Sequence, residues 1–210
     1  MSTELGRLER NDPTLTELDI LWSKIGPGFA SALATNTMLI DLDLGGDSIG
    51  DEGAETLAAA LAANTTLRTL HLWTNNIGAR GAAMLARSFS TSGLTALYLG
   101  TNLLGPEGAK AIAEALPISR LATLDLSGNG IGDAGAAKIA KALRTSKLAK
   151  LFMMSNSIGN RGAGRIAAAL RACALKTLWL QHNNIKDTCF AKQRSRLKKV
   201  AIARGVTLLV

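Results

Sequence analysis

A repeat of nearly constant length constrains this chain more than any other feature of its 210 residues. Seven segments carry the pattern L-x-x-L-x followed by Leu, Ile or Met, from LTELDI at Leu15 to LKTLWL at Leu175. Their first residues are separated by 24, 28, 27, 27, 27 and 27 positions. Self-similarity at such a period is the signature of a stacked array. The chain is therefore predicted to be a solenoid rather than a compact layered domain.

Each repeat is predicted to contain a short strand, a turn and a helix. LATLDL at 121–126 alternates apolar and polar residues, whereas GAAKIAKAL at 135–143 places its apolar residues at helical spacing. One unit cannot bury its apolar side alone, so the units must stack. Helices are about 10 Å wide and strands about 4.8 Å apart, which curves the stack with its strands inside. The prediction is an α/β, right-handed solenoid of about seven repeats, with a parallel inner sheet and outer helices.

One polar position recurs just after each strand. It is occupied by Ser23, Asp47, Asn75, Asn102, Asn129, Asn156 and Asn183. A side-chain amide there can bond backbone groups of its own turn and of the adjacent one, which would otherwise be buried without partners. This column is predicted to be structural.

The repeat resembles the leucine-rich repeat of the ribonuclease-inhibitor class, most clearly in LATLDLSGNGIGDAGAAKIAKAL at 121–143. Similar repeats occur in ribonuclease inhibitor, in the Ran GTPase-activating protein and in nucleotide-binding immune receptors. The resemblance implies a horseshoe with a binding role and leaves the partner open. The single predicted domain, 1–210, comprises an N-terminal cap at 1–14, repeats at 15–185 and a C-terminal cap at 186–210, where the apolar helical pattern changes.

The residues between the strand leucines are predicted to face the concave side. They, and the positions at the strand exits, hold the candidate partner-binding residues: His71, Trp73, Tyr98, Phe152, Met154, Trp179 and His182, with the carboxylates Asp43 and Asp125. Exposed aromatic clusters usually mark interaction sites, and Trp and Tyr are enriched among interface hot spots. The alternative is that the rings merely shield the sheet as cross-strand neighbours.

Charge is distributed unevenly along the chain. Residues 1–66 carry a net charge of −8 and residues 67–210 a net charge of +16. The C-terminal cap contains a basic patch of Lys192, Arg194, Arg196, Lys198 and Lys199. Such a patch is compatible with an acidic protein, with nucleic acid or with a solvated cap helix. It lacks the interleaved aromatic residues of single-strand binders.

The sequence contains no recognisable catalytic constellation, metal-ligand spacing or phosphate-binding glycine motif. No apolar run approaches the roughly 20 residues of a membrane span, and two cysteines favour a reducing, cytoplasmic or other intracellular location. Neither a cofactor nor a small-molecule substrate is expected. The predicted function is a protein-binding scaffold, adaptor or structural subunit of an intracellular assembly. The alternatives are an enzyme regulator, as the resemblance allows, and a nucleic-acid-associated protein.

Overall fold

The computed structural model describes residues 2–19, 27–186 and 193–210, in which short strands alternate with helices. The strands are β1 (Glu17–Asp19), β2 (Asp41–Asp43), β3 (Thr69–His71), β4 (Ala96–Tyr98), β5 (Thr123–Asp125), β6 (Lys150–Phe152), β7 (Thr177–Trp179) and β8 (Thr207–Leu209). The helices are α1 (Ser2–Glu9), α2 (Pro27–Thr35), α3 (Gly50–Ala63), α4 (Ala79–Ser88), α5 (Gly105–Ala115), α6 (Gly132–Leu143), α7 (Asn160–Ala169) and α8 (Gln193–Ala203). Two 3-10 turns, η1 (Leu116–Ile118) and η2 (Leu170–Ala172), follow α5 and α7.

The strands form one parallel sheet in the order of the sequence, from β1 to β8. Each strand pairs with the next in a register that aligns the central leucines, as in Leu70 with Leu97 and Leu97 with Leu124. Those leucines are buried, while the flanking residues are exposed or half-buried on the other face. The predicted leucine-rich-repeat solenoid is confirmed, and β8 adds one strand to those of the seven repeats.

The core lies between the sheet and the helices and consists mainly of Leu, Ile and Ala. Small residues allow neighbouring helices to approach closely. A Cβ atom added at Gly135 of α6, for example, would lie 2.9 Å from the Cβ atom of Ala109 in α5. The chain therefore stacks its repeats with little aromatic material in the core, where Phe89 is the largest fully buried side chain.

The asparagines at the strand exits connect successive repeats. Asn102 Oδ1 accepts hydrogen bonds from the backbone N–H groups of Asn75 and Ile77, both at 3.0 Å, while its amide donates to the Leu72 carbonyl at 2.8 Å. Corresponding bonds are made by Asn75, Asn129, Asn156 and Asn183. The predicted bridging geometry is thus present at these five asparagines; Ser23 of the same column lies outside the described residues.

Two helices are capped by the preceding helix rather than by their own residues. Asp51 Oδ1 accepts the N–H groups of Gly78 and Gly81 at 2.7 and 2.8 Å, at the start of α4. Asp133 Oδ1 accepts those of Gly159 and Gly162 at the same distances, at the start of α7. A carboxylate satisfies helix N-terminal N–H groups well because it also opposes the positive end of the helix dipole.

Both ends of the array differ from its middle. Helix α1 packs against α2, and the turn after α1 is closed by Asp12, which accepts hydrogen bonds from Arg7 and Thr14. Hydrogen bonds from the Thr14 hydroxyl, then from Arg7, hold the pKa of Asp12 well below its usual range. In α8, Arg194 donates to the Val210 carbonyl oxygen at 2.6 Å. The division into caps and repeats stays a prediction.

Candidate protein-binding site on the concave face

The concave face carries the first and third residues of every strand. The parallel register aligns the third residues in one row: Asp19, Asp43, His71, Tyr98, Asp125, Phe152, Trp179 and Leu209. Neighbouring members of this row are separated by one inter-strand spacing of about 4.8 Å. The sequence-predicted candidates of the strands therefore lie side by side on one continuous surface.

The first aromatic pair bridges β3 and β4. The rings of His71 and Tyr98 stack in parallel, with centroids 4.5 Å apart and planes 3° apart. His71 Nε2 lies 3.5 Å from Asp41 Oδ1, within ion-pair range when the imidazole is protonated. Burial raises the pKa of Tyr98, and the negative charges of Asp125 and Asp41 raise it further. The phenol is therefore a neutral hydrogen-bond donor at physiological pH.

Trp73 follows β3 and is 42% exposed. Its indole lies against Gly45, the residue two positions beyond β2, so closely that any side chain at position 45 would overlap the ring. The absence of a side chain at Gly45 therefore allows the indole to pack directly against the backbone there. The ring is positioned by the fold and still offers one face to solvent.

The second aromatic pair bridges β6 and β7. Phe152 and Trp179 have ring centroids 4.7 Å apart and planes inclined by 59°, a tilted arrangement that the ring quadrupoles favour. Both are half-buried, as is Met154 at the exit of β6. His182 is exposed at the exit of β7 and adopts a φ of +58°. This half of the face is predominantly apolar.

The two candidate carboxylates of the row accept hydrogen bonds from backbone N–H groups just after their strands. Asp43 Oδ1 accepts the N–H of Gly45, and Asp125 Oδ1 accepts the N–H of Ser127, both at 2.8 Å. Each carboxylate therefore fixes the turn after its strand and retains a second oxygen. Sequence reasoning missed Lys150, an exposed cation at the first position of β6, although the period of two places it on this face.

The basic patch is separate from the concave face. Arg194, Arg196, Lys198 and Lys199 are exposed on α8, in the helical layer, and Lys192 lies outside the described residues. Lys199 lines a groove of about 370 Å³ together with Arg171, Val200, Ala203 and Arg204. Across the described ranges, no group of three or more metal-ligating side chains occurs, and none of their helices is long and apolar enough to cross a membrane.

Part of the sequence matches a family model described as "Leucine Rich repeat". The matches cover residues 35–58, 63–86, 94–113 and 121–140. No curated protein sequence matches the chain.

Solved structures give two further similarities. The first is a structure titled leiomodin-1 actin-binding site 2, with 27% identity, a TM-score of 0.53 and coverage of 58% of this chain and 76% of that one. The second is the tropomodulin C-terminal domain of Caenorhabditis elegans, with 16% identity, a TM-score of 0.52 and coverage of 80% and 89%. The second similarity concerns the fold alone.

Proposed function

Because this chain is a leucine-rich-repeat protein, we propose that it is a protein-binding scaffold whose concave face docks a protein partner. The anchors are Trp73, the His71–Tyr98 stack and the Phe152–Trp179 pair. Met154 and His182 extend this surface at the strand exits. Asp125 supplies negative charge between Tyr98 and Phe152, and Asp43 supplies it beside His71.

The observation that carries this proposal is the set of aromatic rings aligned across one rigid parallel sheet. Each ring is held by a neighbour: Trp73 by Gly45, Tyr98 by His71, and Trp179 by Phe152. A ring that is already positioned loses little conformational entropy when a partner binds, so a few such rings can supply most of the affinity. The interface is thus expected to depend on a small number of aromatic hot spots.

The sheet also carries a charge gradient that would orient the partner. Glu17, Asp19, Asp41 and Asp43 lie on β1 and β2, and Lys150 lies on β6. Complementary charges across an interface select the orientation of docking and accelerate encounter. A partner with basic residues at one end of its epitope and apolar residues at the other fits this arrangement.

Similarity to a domain whose title names an actin-binding site supports a protein partner and makes actin the first one to test. Binding of actin is measured by fluorescence anisotropy for the parent chain, for Trp73→Ala/Trp179→Ala and for Ile118→Ala. Ile118 lies in η1 and is 64% exposed, so it controls for the loss of an exposed apolar side chain elsewhere. We expect the double variant to weaken binding by at least about tenfold and the control to bind like the parent chain.

Partners other than actin are sought by photo-crosslinking. A benzophenone amino acid at position 154 on the concave face is compared with the same residue at position 118. Crosslinks to a defined protein from 154 and not from 118 are expected. Equal crosslinking from both positions, or unchanged affinity of the double tryptophan variant for the captured protein, would contradict the proposal.

A further inference from the structure

Two grooves on the helical layer have the same construction. One lies between α3 and α4 and the other between α6 and α7, and in each a carboxylate of the first helix caps the second. Arg80 and Arg161 occupy equivalent places, two residues after Gly78 and Gly159 respectively. The two grooves can therefore be compared residue by residue.

The grooves differ in how their arginines are neutralised. In the α3–α4 groove, Arg80 Nη2 lies 2.8 Å from Glu55 Oε2, and this contact raises the pKa of the guanidinium. The residue equivalent to Glu55 in α6 is Ala137, four positions after Asp133 as Glu55 is four after Asp51. Replacement of the glutamate by alanine leaves open the place that a carboxylate occupies in the other groove.

The α6–α7 groove also carries a second guanidinium. Arg165 is equivalent to Met84 of the α3–α4 groove, since each lies six residues after the glycine that precedes its helix. The resulting groove has a volume of about 270 Å³ and is lined by Asp133, Ala134, Ala137, Arg161 and Arg165. In the part of the chain that the structure describes, no carboxylate lies within ion-pair distance of either arginine.

Asp133 lines the groove but already accepts two N–H groups through Oδ1 at the start of α7. One carboxylate facing two guanidinium groups leaves a net positive charge. Lys138 and Lys141 are further exposed cations on α6, one helical turn after Ala134 and Ala137 respectively. An anion approaching this surface therefore meets attraction from several directions.

We propose that the α6–α7 groove binds a glutamate or aspartate side chain from an acidic peptide segment of a partner protein. Glu55 shows the mode of recognition, since it places a carboxylate against the equivalent arginine. The partner's carboxylate takes the position above Ala137 and accepts hydrogen bonds from Arg161 and Arg165, a geometry for which the planar guanidinium is suited. Neighbouring acidic residues of the peptide then face Lys138 and Lys141.

A nucleic-acid backbone fits this groove less well than a peptide. No aromatic ring lines it, so stacking of bases, which supplies much of the affinity for single strands, is missing there. The groove lies on the helical layer, so this inference does not depend on the function proposed for the concave face.

The test uses a short fluorescent peptide of alternating glutamate and glycine residues, with binding followed by anisotropy at low salt. Ala137→Glu restores the internal carboxylate and should weaken binding by at least about tenfold. Ala59→Glu makes the same change of charge at an exposed position of α3 and should weaken binding by less than about twofold. Arg161→Gln/Arg165→Gln should also abolish binding, and it keeps the test valid if Ala137→Glu fails to fold.

Equal affinity of the parent chain and both groove variants would overturn the proposal. A loss of peptide affinity in Ala59→Glu as large as that in Ala137→Glu would also overturn it, because it would reduce the interaction to net charge. A short single-stranded RNA that binds more tightly than the peptide, with the same sensitivity to Ala137→Glu, would assign the groove to phosphate instead. The Trp73→Ala/Trp179→Ala variant, which is designed to disrupt the concave face, should bind the acidic peptide with the same affinity as the parent chain.

Discussion

Two neighbouring rows of side chains on the sheet differ in composition: one repeats the same residue, and the other changes at every strand. From β3 onward the row at the strand exits repeats asparagine, so that Asn75, Asn102 and Asn129 bridge successive turns. The row on the concave face changes at every strand and includes His71, Tyr98, Asp125, Phe152 and Trp179. The first row satisfies buried backbone groups, whereas the second is half-exposed. The comparison indicates that the uniform positions hold the array together, while the variable positions are the ones that the proposed binding function uses.

Removal of one asparagine should cost far more stability than any change on the concave face. Asn102→Ala leaves the buried N–H groups of Asn75 and Ile77 and the Leu72 carbonyl without their present partner. Each unsatisfied buried group costs about 1–3 kcal/mol, so we expect a loss of about 3 kcal/mol in the free energy of unfolding. Urea denaturation followed by circular dichroism measures it.

Asn184→Ala is the matched control, because Asn184 follows the last asparagine of the row and its side chain is exposed. We expect it to change the free energy of unfolding by less than about 0.5 kcal/mol. Equal losses in the two variants would show that the row contributes no more than a surface amide. The distinction between a structural row and a recognition row would then fail.

A change on the concave face should instead disturb a ring and leave the fold nearly intact. Gly45→Ala displaces the Trp73 indole from its contact with the backbone at position 45, since the new Cβ would overlap the ring. The indole is already partly exposed, so it can swing into solvent, and we expect a loss of at most about 1 kcal/mol in unfolding free energy. With Trp22 and Trp179 replaced by Phe, the Trp73 emission maximum should shift to the red.

Gly100→Ala provides the control for this experiment. Gly100 occupies the same column two repeats further on, where an added Cβ would lie 3.2 Å from Asp125 Oδ2 and would not meet a tryptophan. Its Trp73 emission should match that of the parent chain. Unchanged emission in Gly45→Ala would mean that the indole is not held by the glycine, and the argument for a preorganised anchor would lose its basis.

The same contrast explains how much of the molecule was predictable from its sequence. The central leucines and the exit asparagines recur at a fixed period, so their burial and bridging roles follow from repetition alone. A second bridging row was missed. Asn36 and Asn64 donate to the Leu8 and Leu33 carbonyls before β2 and β3. Three serines and then a cysteine replace asparagine in later repeats, which hides the pattern.

Contacts between residues one repeat apart were not predictable for a different reason. The sequence places His71 and Tyr98 on adjacent strands, but their parallel stacking depends on rotamers that no periodicity encodes. The same holds for Asp133, whose carboxylate reaches forward to cap α7 instead of serving its own helix. Periodicity determines where side chains lie along and across the sheet, whereas local steric packing determines their rotamers and therefore their contacts.

The smallest expected effect concerns the electrostatics of the concave row. Burial is the larger cause of the raised pKa of Tyr98 and Asp125 the second, so Asp125→Asn should lower that pKa part of the way toward its ordinary value. The asparagine Oδ1 can still accept the N–H of Ser127, so the turn is retained. Tyr98 is the only tyrosine, and tyrosinate absorbance therefore reports this single group.

Since the folded-state pKa of Tyr98 is raised, its contribution to stability is complete below the ordinary tyrosine value near 10 and is lost as pH rises through the folded-state value. Asp125→Asn should make that loss at alkaline pH smaller. Asp41→Asn should lower the pKa less, and Asp133→Asn, on the helical layer, should leave it unchanged. A tyrosine titration identical in Asp125→Asn and the parent chain would show that neighbours in the concave row do not influence one another, and each ring would then have to be treated as an independent contact.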